Sequence, residues 1–284
     1  STHVEGAASA GLAIGSVTLM VLCVKSNTVP PQEPCMPQRT KDIADEGGLT
    51  RVYVQDALSV GAQIELDDAP SHHVAVVLRA VEGDGLHLFN GKDGEWRAVV
   101  ARIAKGAVTV AVERQTTPHR AVPDVHLLAA PVKRTPFDYL VQKATELGVA
   151  RIRPIITRRT IVDRVNEHRM RANAIGAAEQ SGRLDVPAID ESIQLQKLLQ
   201  AWPGDRRIMF CDEAGDASPA AEALAKAGRG RWAILTGPEG GFDPAERHMI
   251  RVLSVAIPVT LGPRIMRADT AALAAITIWQ STLG

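Results

Sequence analysis

Two consecutive strand–turn–helix units close this chain, and they constrain its fold more than any other feature. The first is Trp232-Ala-Ile-Leu-Thr-Gly-Pro-Glu-Gly-Gly-Phe242; the second is Ile257-Pro-Val-Thr-Leu-Gly-Pro-Arg-Ile-Met-Arg-Ala-Asp-Thr-Ala271. Helix-like stretches follow at Pro244–Val252 and Thr270–Leu283. A strand, a bare-backbone turn and a helix, repeated at once, predict an α/β sheet that offers main-chain groups to a small ligand at the carboxyl ends of adjacent strands. The chain upstream agrees. Strands at Val125–Ala129, Ile152–Ile156 and Arg207–Cys211 alternate with helices at Phe137–Leu147, Met170–Leu184 and Pro219–Ala227. That alternation predicts a largely parallel sheet covered on both faces.

Before residue 116 the rhythm differs. Arg51–Val54, Gln63–Leu66, Leu86–Phe89, Trp96–Ile103 and Val108–Val112 read as short strands, with one helix near His72–Arg79 and turn signals at Gly83-Asp-Gly85 and Asn90–Gly94. They predict a small β-barrel-like module over residues 49–115. Thr116–Pro123 reads as a linker, and residues 124–284 form the α/β domain. Residues 1–48 read as an extension outside the fold, of artificial or gene-model origin or a flexible tail. Its apolar run, Ala7–Val24, follows Glu5 and no Lys or Arg, so it lacks the basic flank of a signal peptide and the greasy length of a membrane span.

Formal net charge is zero across 284 residues, so any nucleic-acid surface must be local. Cys23, Cys35 and Cys211 are scattered, odd in number and in no metal-ligand spacing. They predict a reducing, cytoplasmic location with no structural disulfide and no metal.

The glycines of Thr236–Phe242 suit close backbone approach, and Pro238 stiffens the turn. A phosphate cradle is disfavoured. The segment lacks the Gly-Lys-Ser/Thr ending of a P-loop and the G-x-G-x-x-G spacing, and Glu239 would repel phosphate. A tight turn without ligand stays open on these residues alone. In the second turn Leu261, Ile265 and Met266 can wall an adenine, whose edge backbone groups would satisfy. Arg267 would then stand near the reactive end and favour an anionic substrate. Surface solvation or a helix-cap role is the alternative for Arg264 and Arg267.

The G-P-E-G-G-F run at 237–242, followed by L-G-P-R-I-M-R-A-D-T-A at 261–271, resembles the RsmE family of SPOUT-class, S-adenosylmethionine-dependent RNA methyltransferases. Phe137–Val149, Ala178–Arg183 with Val186-Pro187, and His72–Arg79 match that family in order. Met266 stands where the family usually has leucine, and Asp269 where it has glutamate. The resemblance implies a trefoil-knotted methyltransferase domain behind a PUA-like RNA-binding module, working as a homodimer. It implies S-adenosylmethionine held by Leu235, Thr236, Gly237, Pro238, Gly241, Leu261, Gly262, Ile265, Met266, Arg267 and Thr270. The implied reaction is methylation of N3 of a uridine in small-subunit ribosomal RNA, with ribosomal RNA or the assembled subunit as partner and no membrane involved. The apolar C-terminal helix fits a dimer interface, with ordinary core packing as the other reading.

Basic residues cluster where phosphate contacts would need them. Arg79, Lys133, Arg134, Arg158 and Arg159 are expected at RNA. Gln180 and Arg183 are expected at RNA, across the dimer, or in a structural hydrogen-bonding role. Because N3 carries a proton, the reaction needs a base and stabilisation of a uracil anion. Arg267 is the candidate stabiliser. Glu239 is a candidate base, although a turn glutamate more often anchors neighbouring N–H groups. Two alternatives stand beside this reading: a SPOUT enzyme acting on another RNA or on a ribose 2′-hydroxyl, and a non-catalytic RNA-binding ribosome-assembly factor.

Overall fold

The computed structural model describes residues 50–162, 164–212 and 216–284. The readings made for residues 1–48 lie outside them. Among the described residues, no helix is long and apolar enough to cross a membrane.

Five strands build the first sheet: β1 (Arg51–Tyr53), β2 (Gln63–Glu65), β3 (Gly85–Phe89), β4 (Glu95–Ala104) and β5 (Ala107–Thr117). Their order is β1-β3-β4-β5-β2, antiparallel except for the β1–β3 pair. Alternating apolar residues send Leu86, Leu88, Ala98, Val100, Val108, Val110 and Val112 into one buried cluster of their own. Three register irregularities bend the long β4–β5 hairpin. Strand β5 runs on to Thr117, so two residues read as linker pair with β4 instead. The expected helix at His72–Arg79 is α1 (Asp68–His72) continued by a π-helical turn, His73–Val77, which ends beside Arg79 at φ 56°.

The second sheet joins β6 (Val125–Ala129), β7 (Arg151–Ile156), β8 (Ala188–Ile189), β10 (Arg206–Cys211), β11 (Ser218–Pro219), β12 (Arg231–Thr236) and β13 (Ala256–Thr260), all parallel; β9 (Ile193–Gln194) pairs with β7. The connecting helices are α2 (Arg134–Glu146), α3 (Glu167–Ser181), α4 (Leu195–Gln200), α5 (Ala220–Ala227), α6 (Pro244–Arg251) and α7 (Ala268–Leu283). Period-two alternation divides β12 cleanly. Trp232 and Ile234 face the core under α2, α3, α5 and α7, whereas Ala233 and Leu235 face the core under α4 and α6. Both faces are therefore dry, as a parallel sheet requires.

Strand order departs from sequence order. The sheet runs β13-β10-β12-β6-β7, so β12 is inserted between β10 and β6, and β13 lies outside β10. The two strands that end in glycine turns are thus not adjacent, contrary to the expectation from sequence. β10 separates them by two strand spacings, about 10 Å.

Candidate active site

Register puts both glycine turns at one height. Leu235 lies opposite Phe210, Phe210 opposite Pro258, and Cys211 opposite Val259. The turns therefore emerge together from the carboxyl edge of the sheet, flanking the end of β10.

The first turn is built tightly. Thr236 is buried and its carbonyl accepts from the Ala130 N–H. Gly241 N–H donates to the Pro238 carbonyl at 2.9 Å, with Gly241 at φ 66°. Gly237 gives close packing rather than positive φ. A Cβ there would stand 2.9 Å from the Phe242 ring. That ring is 2% exposed and meets Phe210 edge-on at 5.3 Å. The turn passes into α6 through a capping box: Asp243 accepts from Ala245 N–H, and the Glu246 carboxylate accepts from Asp243 N–H.

The second turn is open. Gly262 adopts φ 116°, and its N–H donates to Thr260 Oγ1. Leu261 packs on the core, Met266 is half-buried, and Ile265 is 95% exposed. Arg267 is the N-cap residue of α7, and its side chain is exposed. Asp269 accepts from Thr270 N–H. Glu239 is exposed at the tip of the first turn. A groove of about 490 Å³, lined by Val74, Leu78 and Val100 among others, lies on the first sheet.

Four further expected residues share this edge. Lys133 and Arg134 follow β6, exposed at the start of α2. Arg158 and Arg159 follow β7, and both also brace the first turn, a role the sequence did not suggest. Arg159 Nη1 donates to the Gly240 carbonyl at 2.8 Å. Arg158 N–H donates to Glu246 at 2.9 Å, and its Nη1 meets Asp243 at 3.0 Å. With Arg264 and Arg267 after β13, cations follow β6, β7 and β13, and Glu239 and Asp243 follow β12 between them.

Three expected residues lie elsewhere. Arg183 sits at the amino-terminal edge of the sheet and is buried. Its guanidinium donates to the Thr145 and Val149 carbonyls at 2.8 and 2.7 Å and pairs with Asp185 at 2.7 Å. Its donors serve the C-terminal end of α2, so the expected RNA contact is corrected to the structural role. Gln180 is exposed at the end of α3, on the same distant edge. Arg79 belongs to the first sheet's π-helical turn, exposed and in a left-handed conformation that few non-glycine residues adopt.

Among the described residues, no group of three or more His, Cys, Asp or Glu is placed to hold a metal ion. Two strongly perturbed titrations lie at the other end of the sheet. Burial pushes His126 down to about 4, aided by Arg206; Arg206 hydrogen bonding holds Asp124 down to about 2.

Comparison with known proteins follows the same division. Residues 119–280 match the family model of the RNA methyltransferase domain, and residues 66–113 match that of the RNA methyltransferase PUA domain. Ribosomal RNA small subunit methyltransferase E of Rickettsia conorii is 32% identical over 228 residues, covering 80% of this chain and 93% of that protein. The crystal structure of ribosomal RNA small subunit methyltransferase E from Neisseria gonorrhoeae, bound to S-adenosyl methionine, superposes with a TM-score of 0.76 at 29% identity, covering 83% of this chain and 98% of that one. A putative methyltransferase from Legionella pneumophila, in complex with the bound cofactor, gives 0.75 at 29% identity, covering 82% and 98%.

Proposed function

The chain belongs to the RsmE family of SPOUT-class RNA methyltransferases, and from that premise we propose that it uses S-adenosylmethionine to methylate N3 of a specific uridine in small-subunit ribosomal RNA. The observation that carries the reading is the pairing of two glycine turns on one sheet edge with Lys133 and several arginines on the same edge.

The residues present fit the cofactor. Gly262 has open space where a Cβ would stand, and Leu261, Ile265 and Met266 offer an aliphatic wall of which Ile265 is the exposed part. The donor set of backbone groups and aliphatic side chains, without a phosphate cradle, suits an uncharged adenine. When bound, the sulfonium supplies an electrophilic methyl group. The protein's part is orientation and charge. Leu235, Thr236, Gly237, Pro238 and Gly241 shape one wall. Leu261, Gly262, Ile265, Met266 and Thr270 shape the other. Arg267, exposed at the start of α7, stabilises the negative charge that develops on the uracil when its N3 proton leaves. Glu239, at the tip of the first turn, is the candidate to take that proton. Lys133, Arg134, Arg158, Arg159 and, on the first sheet, Arg79 contact RNA phosphates. The protein acts as a homodimer in the cytoplasm, with its first sheet as the PUA-like RNA-binding module.

Mass-spectrometric mapping of ribosomal RNA from cells lacking the protein tests this. One small-subunit N3-methyluridine should disappear and return when purified protein and S-adenosylmethionine are supplied. An unchanged methylation map sinks the proposal, and loss of a 2′-O-methyl group instead would favour ribose as the target.

A further inference from the structure

The two sheets have separate hydrophobic cores, and the seam between them is polar. At its centre is Arg51 of β1. Its own sheet fixes one side of the guanidinium: Nε donates to Glu95 at 2.6 Å, and the group lies 4.5 Å above the centre of the Phe89 ring. Glu95 is held in turn by the Thr116 hydroxyl at 3.0 Å. The remaining donors cross the seam. Nη1 donates to the Ala178 and Glu179 carbonyls at 2.7 and 3.1 Å, and Nη2 to the Arg183 carbonyl at 2.7 Å. These carbonyls belong to the last turn of α3 and the segment after it, where backbone acceptors lack helical partners and the helix dipole is negative. Nearby, Tyr53 N–H donates to the Glu179 carboxylate at 3.1 Å.

The series continues inward. Arg183, gripped through its carbonyl, uses its side chain to hold the Thr145 and Val149 carbonyls at the end of α2. The Leu147 carbonyl there accepts from Gln280 of α7 at 2.7 Å, and α7 begins at Arg267. Hydrogen bonds therefore connect the first sheet to the helix that carries the second glycine turn.

We propose that Arg51 is a positioning residue for methyl transfer: it locks the RNA-binding sheet against the amino-terminal edge of the parallel sheet, so that bound RNA meets the opposite, cationic edge in one orientation. This rests on the reading of the protein as a ribosomal RNA methyltransferase. Only a planar fork makes these bonds at once, so lysine does not substitute. Because neither hydrophobic core includes Arg51, its loss frees the orientation while both units stay folded.

The test compares Arg51→Ala and Arg51→Lys with wild type. The measurements are S-adenosylmethionine Kd by calorimetry, steady-state kinetics on small ribosomal subunits from cells lacking the enzyme, and small-angle X-ray scattering. Both variants should keep cofactor Kd within about twofold while KM for the subunit rises about tenfold or more, a split expected of lost positioning. The scattering profile should broaden. A folded Arg51→Ala protein with unchanged KM, or a cofactor Kd that rises in step with KM, overturns the lock. If wild type does not methylate the subunits, the functional reading fails, and scattering alone decides: a broadened variant profile keeps the lock and an unchanged one removes it.

Discussion

Gly237 lies so close to the ring of Phe242 that a Cβ would stand 2.9 Å from Cε2 and 3.1 Å from Cδ2. The ring cannot retreat freely, because it is buried against Phe210 in the core beneath α6. Close packing of a dense interior thus makes glycine necessary here, where φ does not.

Gly237→Ala should destabilise the protein by about 1–3 kcal/mol, the usual cost of an overpacked core site. The first turn should shift with the ring, so S-adenosylmethionine affinity should fall as well. Denaturant melts and calorimetry measure both. Adding Phe242→Leu should recover part of the affinity, and no recovery would show that the ring is not the obstacle.

Arg267→Ala should lower kcat by about 10²–10³-fold, the range for removal of one donor aimed at developing charge. Melting temperature should hardly change, because the side chain is exposed. Single-turnover kinetics with saturating cofactor isolate the step. Activity near wild type would remove Arg267 from the chemistry.

Arg159→Ala removes the bond to the Gly240 carbonyl, and the exposed setting limits its worth to about 1 kcal/mol. Cofactor Kd should weaken about fivefold. A residue that met only RNA would leave cofactor Kd untouched, so the same titration separates bracing from phosphate contact.

Acid should weaken the fold in two stages. His126, at about 4 when folded against an ordinary 6.5, stays neutral while the unfolded chain takes up a proton. Stability is therefore complete above pH 6.5 and falls as pH drops from 6.5 towards 4, with burial lowering His87 in the same direction. Asp124, at about 2 against 3.8, adds stability above 3.8 that is lost as pH falls through that lower window. His126→Gln should flatten the slope between pH 6.5 and 4, by on the order of 1–2 kcal/mol across the window. Urea unfolding at stepped pH reads it, and an unaltered slope would assign the acid limb to other groups.

The elements themselves were legible in the sequence because their signals are local. Short continuous apolar runs mark β6, β10 and β12, and the Asp243-Pro244 start with Glu246 three positions after Asp243 marks α6. The glycine turns located the candidate site for the same reason. Short elements escaped: β8, β9, β11 and α4 carry too few residues for a periodic signal.

Three features arose only from long-range pairing. β10 stands between the two glycine turns because β12 pairs with β6 and β10, and β13 pairs with β10's other side. Arg158 and Arg159 reach the first turn across more than 80 residues of chain. The motif left Arg183 open between RNA, the dimer and a structural bond, and the fold chose the last by bringing the Thr145 and Val149 carbonyls at the end of α2 beside it. Sequence alone determined which segments fold as strands, helices and turns, and which residues could carry chemistry. Tertiary structure decided which of those residues share an edge, since hydrogen-bond partners for a backbone carbonyl or a buried guanidinium depend on what the fold brings near, not on what the chain places next.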